Sequence, residues 1–257
     1  MSSAFIWYEL LTSDADAAAA FYHQVIGWTQ RPYGHGDLDY RILCLGEEGI
    51  AGVMAIPAEA ASHGMKPAWH TYIRVADVDA TVEAVAAAGG QVWMPATTTP
   101  GVGRMAMLRD PQGAYFYVMT PNGMDGESTS FDPLKPGHVG WNELHTSDAE
   151  AALRFYGAQL GWHKTGEFDM GPMGIYHLFN DTGAGEPVGG IFTDRSFPTP
   201  AWYFYINVDD VTTAASRLES AGGVVLHGPT QVPTGLWVIV GRDPQGAVFS
   251  VLGPKLS

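Results

Sequence analysis

"AWHTYIRVADVD", Ala68–Asp79, and "AWYFYINVDDVT", Ala201–Thr212, are written in one frame. Each opens with Ala-Trp, alternates polar and apolar residues for six positions to a valine, and ends in acids. Extending the comparison to Pro121 and Pro254 gives 22 identities in 54 positions without a gap, including "AGG" and "RDPQGA". Upstream, Phe5–Trp28 and Val139–Trp162 agree at 13 of 24 positions. The chain is therefore a duplication. Residues 1–121 are expected as a first domain and 138–257 as a second. Between them "NGMDGESTSFDPLKPG", rich in Gly, Pro, Ser and Asp, reads as an exposed linker over 122–137.

Each copy divides again. A short apolar strand, Phe5–Leu11, precedes a helix begun by Ser13 or Asp14, with Ala18, Phe21, Tyr22 and Val25 on one face. Ser147 and Glu150 have the spacing of a capping box. Gly27 and Gly161 suit helix exits. Strand-like runs follow. The second half repeats the plan: a strand at Trp69–Val75, a helix from Asp77 striped by Val78, Val82 and Val85, then strands around Val92, Met105 and Phe116. "RDPQG" has the residues of a type I turn with glycine at positive φ. Each copy thus reads βαβββ–βαβββ, an α+β plan.

Composition narrows the function. With 257 residues, 46% hydrophobic and 16% charged, the chain can bury a sizeable core. A net charge of −14 disfavours nucleic acid and anionic lipid as partners. No apolar run is long enough to span a membrane, and the opening "SSAFIWYELLTSD" lacks the pattern of a secretory leader. Cys44 is the only cysteine, which excludes an internal disulfide and suits a reducing cytoplasm.

The stretches "TSDADAAAAFYHQVIGW", "IRVADVDATVEAVAAAGG" and "RDPQGAYFYV", each with its twin, resemble the vicinal oxygen chelate superfamily. That superfamily includes glyoxalase I, fosfomycin-resistance proteins, bleomycin-binding proteins and extradiol dioxygenases. The resemblance covers nearly the whole chain outside the linker. It implies paired βαβββ modules, with curled mixed sheets around a cavity and helices outside. It also implies a metal held by residues of the first strand of each module and a glutamate of the last.

Under that alignment the ligand positions fall on Trp7, His70 and Tyr117 in copy one, and on Trp141, Tyr203 and Ser250 in copy two. One imidazole among six residues does not make a metal site, so no cofactor is expected. His138 imitates the family's Gly-His-Val start but precedes Trp141 by three residues, on the other strand face. A shifted divalent-metal site of Glu9, His70 and a tyrosine is the alternative.

Strand alternation sorts the remaining side chains. Trp69, Thr71, Ile73 and Val75 should pack under helices; His70, Tyr72 and Arg74 should face the cavity. Glu9 and His70 are the candidate catalytic pair, each imidazolium or carboxylate favouring the other's charge if they meet. Trp7, Tyr72, Arg104 and Tyr117 are candidate ligand contacts in copy one. Trp141, Glu143, His145, Tyr203 and Tyr205 are their counterparts in copy two. Copy one is expected to be the better place for chemistry. A glyoxalase-like lyase or isomerase, a dioxygenase-like enzyme and a metal-free binding protein of the bleomycin-resistance type all remain open. The ligand is a small molecule, and the chain a monomer or homodimer.

Overall fold

An Asp carboxylate starts every long helix, where unpaired backbone N–H groups need an acceptor. In the computed structural model, which describes residues 3–33, 39–122, 128–183, 185–196 and 199–256, Asp14, Asp77, Asp148 and Asp210 all fill this role. In copy two the cap is Asp148, one residue beyond the Ser147 of the expected capping box. Its Oδ1 accepts from Ala151 N at 2.9 Å. Gly27 and Gly161 close their helices at φ of 94° and 73°.

Copy one runs β1 (Phe5–Thr12), α1 (Ala15–Ile26), β2 (Thr29–Pro32), β3 (Tyr40–Leu45), β4 (Glu48–Ala55), α2 (Ala58–Ser62), β5 (Ala68–Arg74), α3 (Val78–Ala87), β6 (Gln91–Thr99), β7 (Gly103–Arg109) and β8 (Tyr115–Pro121). Copy two repeats it without the short α2: β9 (Val139–Thr146), α4 (Ala149–Leu160), β10 (His163–Asp169), β11 (Ile175–Asn180), β12 (Gly189–Thr193), β13 (Ala201–Asn207), α5 (Val211–Ser220), β14 (Val224–Gln231), β15 (Trp237–Arg242) and β16 (Val248–Gly253). Each copy builds an eight-stranded mixed sheet. The orders are β2-β3-β4-β1-β5-β8-β7-β6 and β10-β11-β12-β9-β13-β16-β15-β14. Within each module the first strand lies parallel to the last, and the hairpins between are antiparallel. The expected α+β plan of duplicated, unclosed mixed sheets is the fold.

Compact units do not follow the copies. One unit comprises Met1–Ile6, Thr71–Ser128 and Trp141–Tyr203; the other comprises Trp7–His70, Thr129–Gly140 and Phe204–Ser257. Each unit therefore takes one βαβββ module from each copy.

Within each unit a buried relay joins the two modules. In the second, the indole of Trp69 donates to the Tyr22 hydroxyl at 2.8 Å, and Tyr22 donates to Asp243 at 3.1 Å. In the first, Trp202 donates to Tyr156 at 3.0 Å, and Tyr156 to Asp110 at 3.0 Å. Both tryptophans thus take the helix-side face expected from alternation. Aromatic rings surround each relay: Trp28 and Phe249 beside Tyr22, Trp162 and Phe116 beside Tyr156. Such pairs contribute beyond their buried area.

Residues 123–127 of the expected linker lie outside the described residues. The remainder is only partly exposed. Leu134 is open to solvent, whereas Ser130 is buried. The Gly137 carbonyl accepts from the Trp28 indole. Among the described residues, no helix is long and apolar enough to cross a membrane.

Candidate functional site

The first strand of each copy carries Trp and Glu two residues apart, so both side chains leave the same face. A tyrosine the strand pattern did not single out connects them. In copy two the Trp141 indole donates to the Tyr176 hydroxyl at 2.8 Å, and that hydroxyl donates to Glu143 Oε2 at 2.6 Å. In copy one Trp7 donates to Tyr40 at 2.8 Å, and Tyr40 is hydrogen-bonded to Glu9. Burial, then the Glu9 charge, holds the Tyr40 phenol well above its ordinary range. The relay accounts for the expectation that a carboxylate inside an apolar strand needs a partner.

Room for each tyrosine comes from glycine. Gly52 pairs in register with Glu9 on β4, and Gly190 with Glu143 on β12. A Cβ on Gly52 would overlap the Tyr40 hydroxyl; one on Gly190 would overlap the Tyr176 ring. Gly190→Ala is accordingly expected to cost about 2 kcal/mol through overpacking, read by urea unfolding. The same glycine substitution should cost less in a Tyr176→Ala background; an equal cost would show that the ring is not the obstacle.

Copy two extends the relay. His145 is on the same strand face as Glu143 and meets its Oε1 through Nε2 at 2.8 Å. The other ring nitrogen meets Asp194 Oδ2 at 2.9 Å. Asp194 Oδ1 accepts in turn from the backbone and hydroxyl of Ser196. Phe192 and Tyr203 lie edge-to-face with the imidazole, at centroid distances of 4.4 and 4.8 Å. Burial works to lower the His145 pKa, but the bonds and charges of Glu143 and Asp194 outweigh it and hold the pKa above its ordinary value. Burial, with the fields of Asp194 and Glu143, pushes the Tyr203 phenol up to about 12.

The residues of copy one that align with His145 and Asp194 are apolar. Leu11 stands where His145 does. Ile56, whose N–H bonds to Thr12 as that of Asp194 bonds to Thr146, stands where Asp194 does. Copy one was expected to be the better place for chemistry; the imidazole bonded to two carboxylates lies in copy two. His70 also departs from the charged pair expected with Glu9. Its imidazole has lost most of its water, and burial pulls its pKa down to about 4, towards the neutral form.

The other candidates are distributed as follows. Trp7, Glu9 and His70 belong to one compact unit, Tyr72 and Tyr117 to the other. Tyr72 and Tyr117 are buried, in register on β5 and β8, and stacked at 4.3 Å. Tyr205 is buried opposite Ser250. Arg104, considered for a ligand anion, instead forks onto Asp79 at the surface with two bonds of 2.6 Å. Its guanidinium is satisfied there, which leaves a structural ion pair in place of an anion contact.

The donors at the family's metal positions do not fit a metal. The indole nitrogens of Trp7 and Trp141 carry hydrogens and donate them to tyrosines. Tyr117 is occupied in an aromatic stack, and Ser250 is a buried hydroxyl. Among the described residues, no group of three or more His, Cys, Asp or Glu side chains is arranged to hold a metal ion.

Duplicated βαβββ modules in mixed sheets, each copy with a Trp–Tyr–Glu relay on its first strand, define the structural class. The chain belongs to the Glyoxalase/Bleomycin resistance protein/Dioxygenase superfamily, whose family model matches residues 4–118 and 135–251. It is 37% identical over 253 residues to CFP32 of Mycobacterium tuberculosis, a protein carrying a provisional glyoxylase name; the match covers 96% of this chain and 94% of that one. It is 31% identical over 261 residues to the anthracycline biosynthesis protein DnrV of Streptomyces peucetius, covering 96% and 91%. The fold is shared with the Mn(II)-bound glyoxalase of Novosphingobium aromaticivorans, at a TM-score of 0.65 and 16% identity over 98% of this chain and 82% of that one. It is shared also with the 2,3-dioxygenase LapB of Pseudomonas sp. KL28, at a TM-score of 0.66 and 11% identity over 100% and 94%.

Proposed function

We propose that this chain acts on a small, flat, oxygen-bearing molecule without a bound metal, and that copy two is the reacting site. The observation that carries this reading is His145, linked to Glu143 and Asp194 and flanked by Phe192 and Tyr203. A carboxylate and an imidazole in direct hydrogen-bond contact can donate and accept protons. Half-buried Trp141, Tyr176 and Phe192 around them offer faces for a planar ring. The Streptomyces relatives are named for anthracycline biosynthesis, and anthracyclines are flat, oxygenated ring systems. The role is that of a metal-independent lyase or isomerase working in a reducing cytoplasm.

A second reading is sequestration without turnover. It is favoured by the fact that both His145 ring nitrogens and both Glu143 oxygens already have partners within the protein. Elemental analysis, followed by titration of chelator-treated protein with catechol, 1,2-dihydroxynaphthalene and 1,2-dihydroxyanthraquinone, tests both. Tryptophan fluorescence should show saturable binding, weakened about tenfold or more in His145→Ala, as expected for a lost charge-assisted hydrogen bond. Chemical change of the bound probe separates the enzyme from the binder. Binding that requires a stoichiometric metal and depends on Glu9 and His70 would refute the metal-free reading.

A further inference from the structure

Asp194 lies outside the strand pattern that marks Glu143 and His145, at the end of β12 and close to the start of β13. It nevertheless supplies the second acceptor for the His145 ring. We propose that Asp194 is a positioning residue that, with Glu143, clamps His145 as a doubly donating imidazolium, so that the copy-two site works from a charged histidine. The inference rests on the reading of copy two as the reacting site.

The geometry argues for the charged ring. A neutral imidazole has one N–H and one lone pair. Here both nitrogens face carboxylate oxygens, at 2.8 and 2.9 Å, and a lone pair aimed at either oxygen would be repelled. With both carboxylates ionised, only the imidazolium satisfies both contacts. Phe192 and Tyr203 also stand against the ring, and aromatic neighbours tolerate or favour a cation. Each carboxylate is itself held in place. Tyr176 donates to the far oxygen of Glu143, and Ser196 donates twice to the far oxygen of Asp194. The near oxygens are thereby directed at the ring from opposite ends. Copy one has Leu11 and Ile56 in the places of His145 and Asp194, and neither side chain can hydrogen-bond. The two copies thus differ at the positions of His145 and Asp194, which in copy two bring an imidazole between two carboxylates.

The test needs no ligand. Nitrogen-detected histidine side-chain NMR on the full chain, assigned with His145→Gln, follows the protonation of both ring nitrogens against pH. In the native protein His145 should keep both protons to a higher pH than an ordinary histidine does. Asp194→Asn should lower its pKa by about one unit or more, a tenfold or larger loss of proton affinity, because a neighbouring carboxylate is replaced by a neutral amide. Asp194→Glu should restore part of the shift. If Asp194 serves only to order the turn at Ser196, its amide variant will leave the titration unmoved, and the proposal fails. A native His145 that titrates at or below the ordinary histidine range also overturns it, whether or not the Asp194 variants fold. A clamp that is present in a protein that binds none of the probes would refute the functional reading and leave the clamp standing.

Discussion

Asp110→Ala should destabilise the protein by about 4 kcal/mol in urea unfolding, because it strands several buried donors at once. One oxygen of Asp110 accepts from the backbone N–H groups of Gln112, Gly113 and Ala114, at 3.0, 2.6 and 2.8 Å. The other accepts from Tyr156, whose hydroxyl also receives the Trp202 indole. Alanine removes all four contacts in a site where Tyr156 and Ala114 are fully buried, so water cannot replace them without opening the core. Asp243→Ala should behave alike, since Asp243 accepts from Gln245, Gly246, Ala247 and Tyr22. Tyr156→Phe should cost less, about 2 kcal/mol, because it leaves the turn intact and orphans only Asp110 Oδ2 and one indole N–H. A loss below about 1 kcal/mol for Asp110→Ala would mean that the relay is not a joint between modules.

The second large effect is a loss of stability in mild acid traced to His70. Its folded pKa is depressed to about 4, from an ordinary value of 6.5. Above pH 6.5 the histidine is neutral in both states and contributes nothing. As pH falls below 6.5 the unfolded chain binds a proton that the folded protein refuses until near pH 4. Stability therefore drops across that window, by about 3 kcal/mol in all, and levels off below it. His145 has the opposite sign, since its raised pKa adds stability at low pH that is lost as pH rises through the folded value. The clean measurement is the difference between native and His70→Gln unfolding free energies from pH 7.5 to pH 4. It should change by about 3 kcal/mol across the window. A flat difference would show that the imidazole is not held in a dry environment.

Much of this architecture is legible in the chain. The duplication predicts two equivalent sheets, and period-two alternation assigns Trp69 and Trp202 to the helix side before any contact is known. Helix starts follow from Ser13 or Asp14 and from Asp77, and the glycine exits from Gly27 and Gly161, because capping chemistry is local. Glu9 and Glu143 stand out as carboxylates inside apolar strands, which requires a partner but does not name it.

The partner is a matter of tertiary structure. Tyr40 and Tyr176 reach Glu9 and Glu143 from β3 and β11, more than thirty residues away, over glycines whose positions follow from the register of another strand pair. A signal was present, since Tyr40 and Tyr176 stand first and second in β3 and β11 and each takes the space that a side chain at Gly52 or Gly190 would fill. It is recognisable only once register is known, because a one-residue slip would send each ring to the other face. The same holds for Asp194, 49 residues from His145 and unmarked by any motif. The sequence by itself determines strands, caps, turns and the need for a partner at each buried glutamate, since these depend on neighbours along the chain. The contacts of His145 with Glu143 and Asp194, and the pairing of Asp110 and Asp243 with a tyrosine of the opposite copy, depend on which distant strands and turns meet. Only the folded chain decides that.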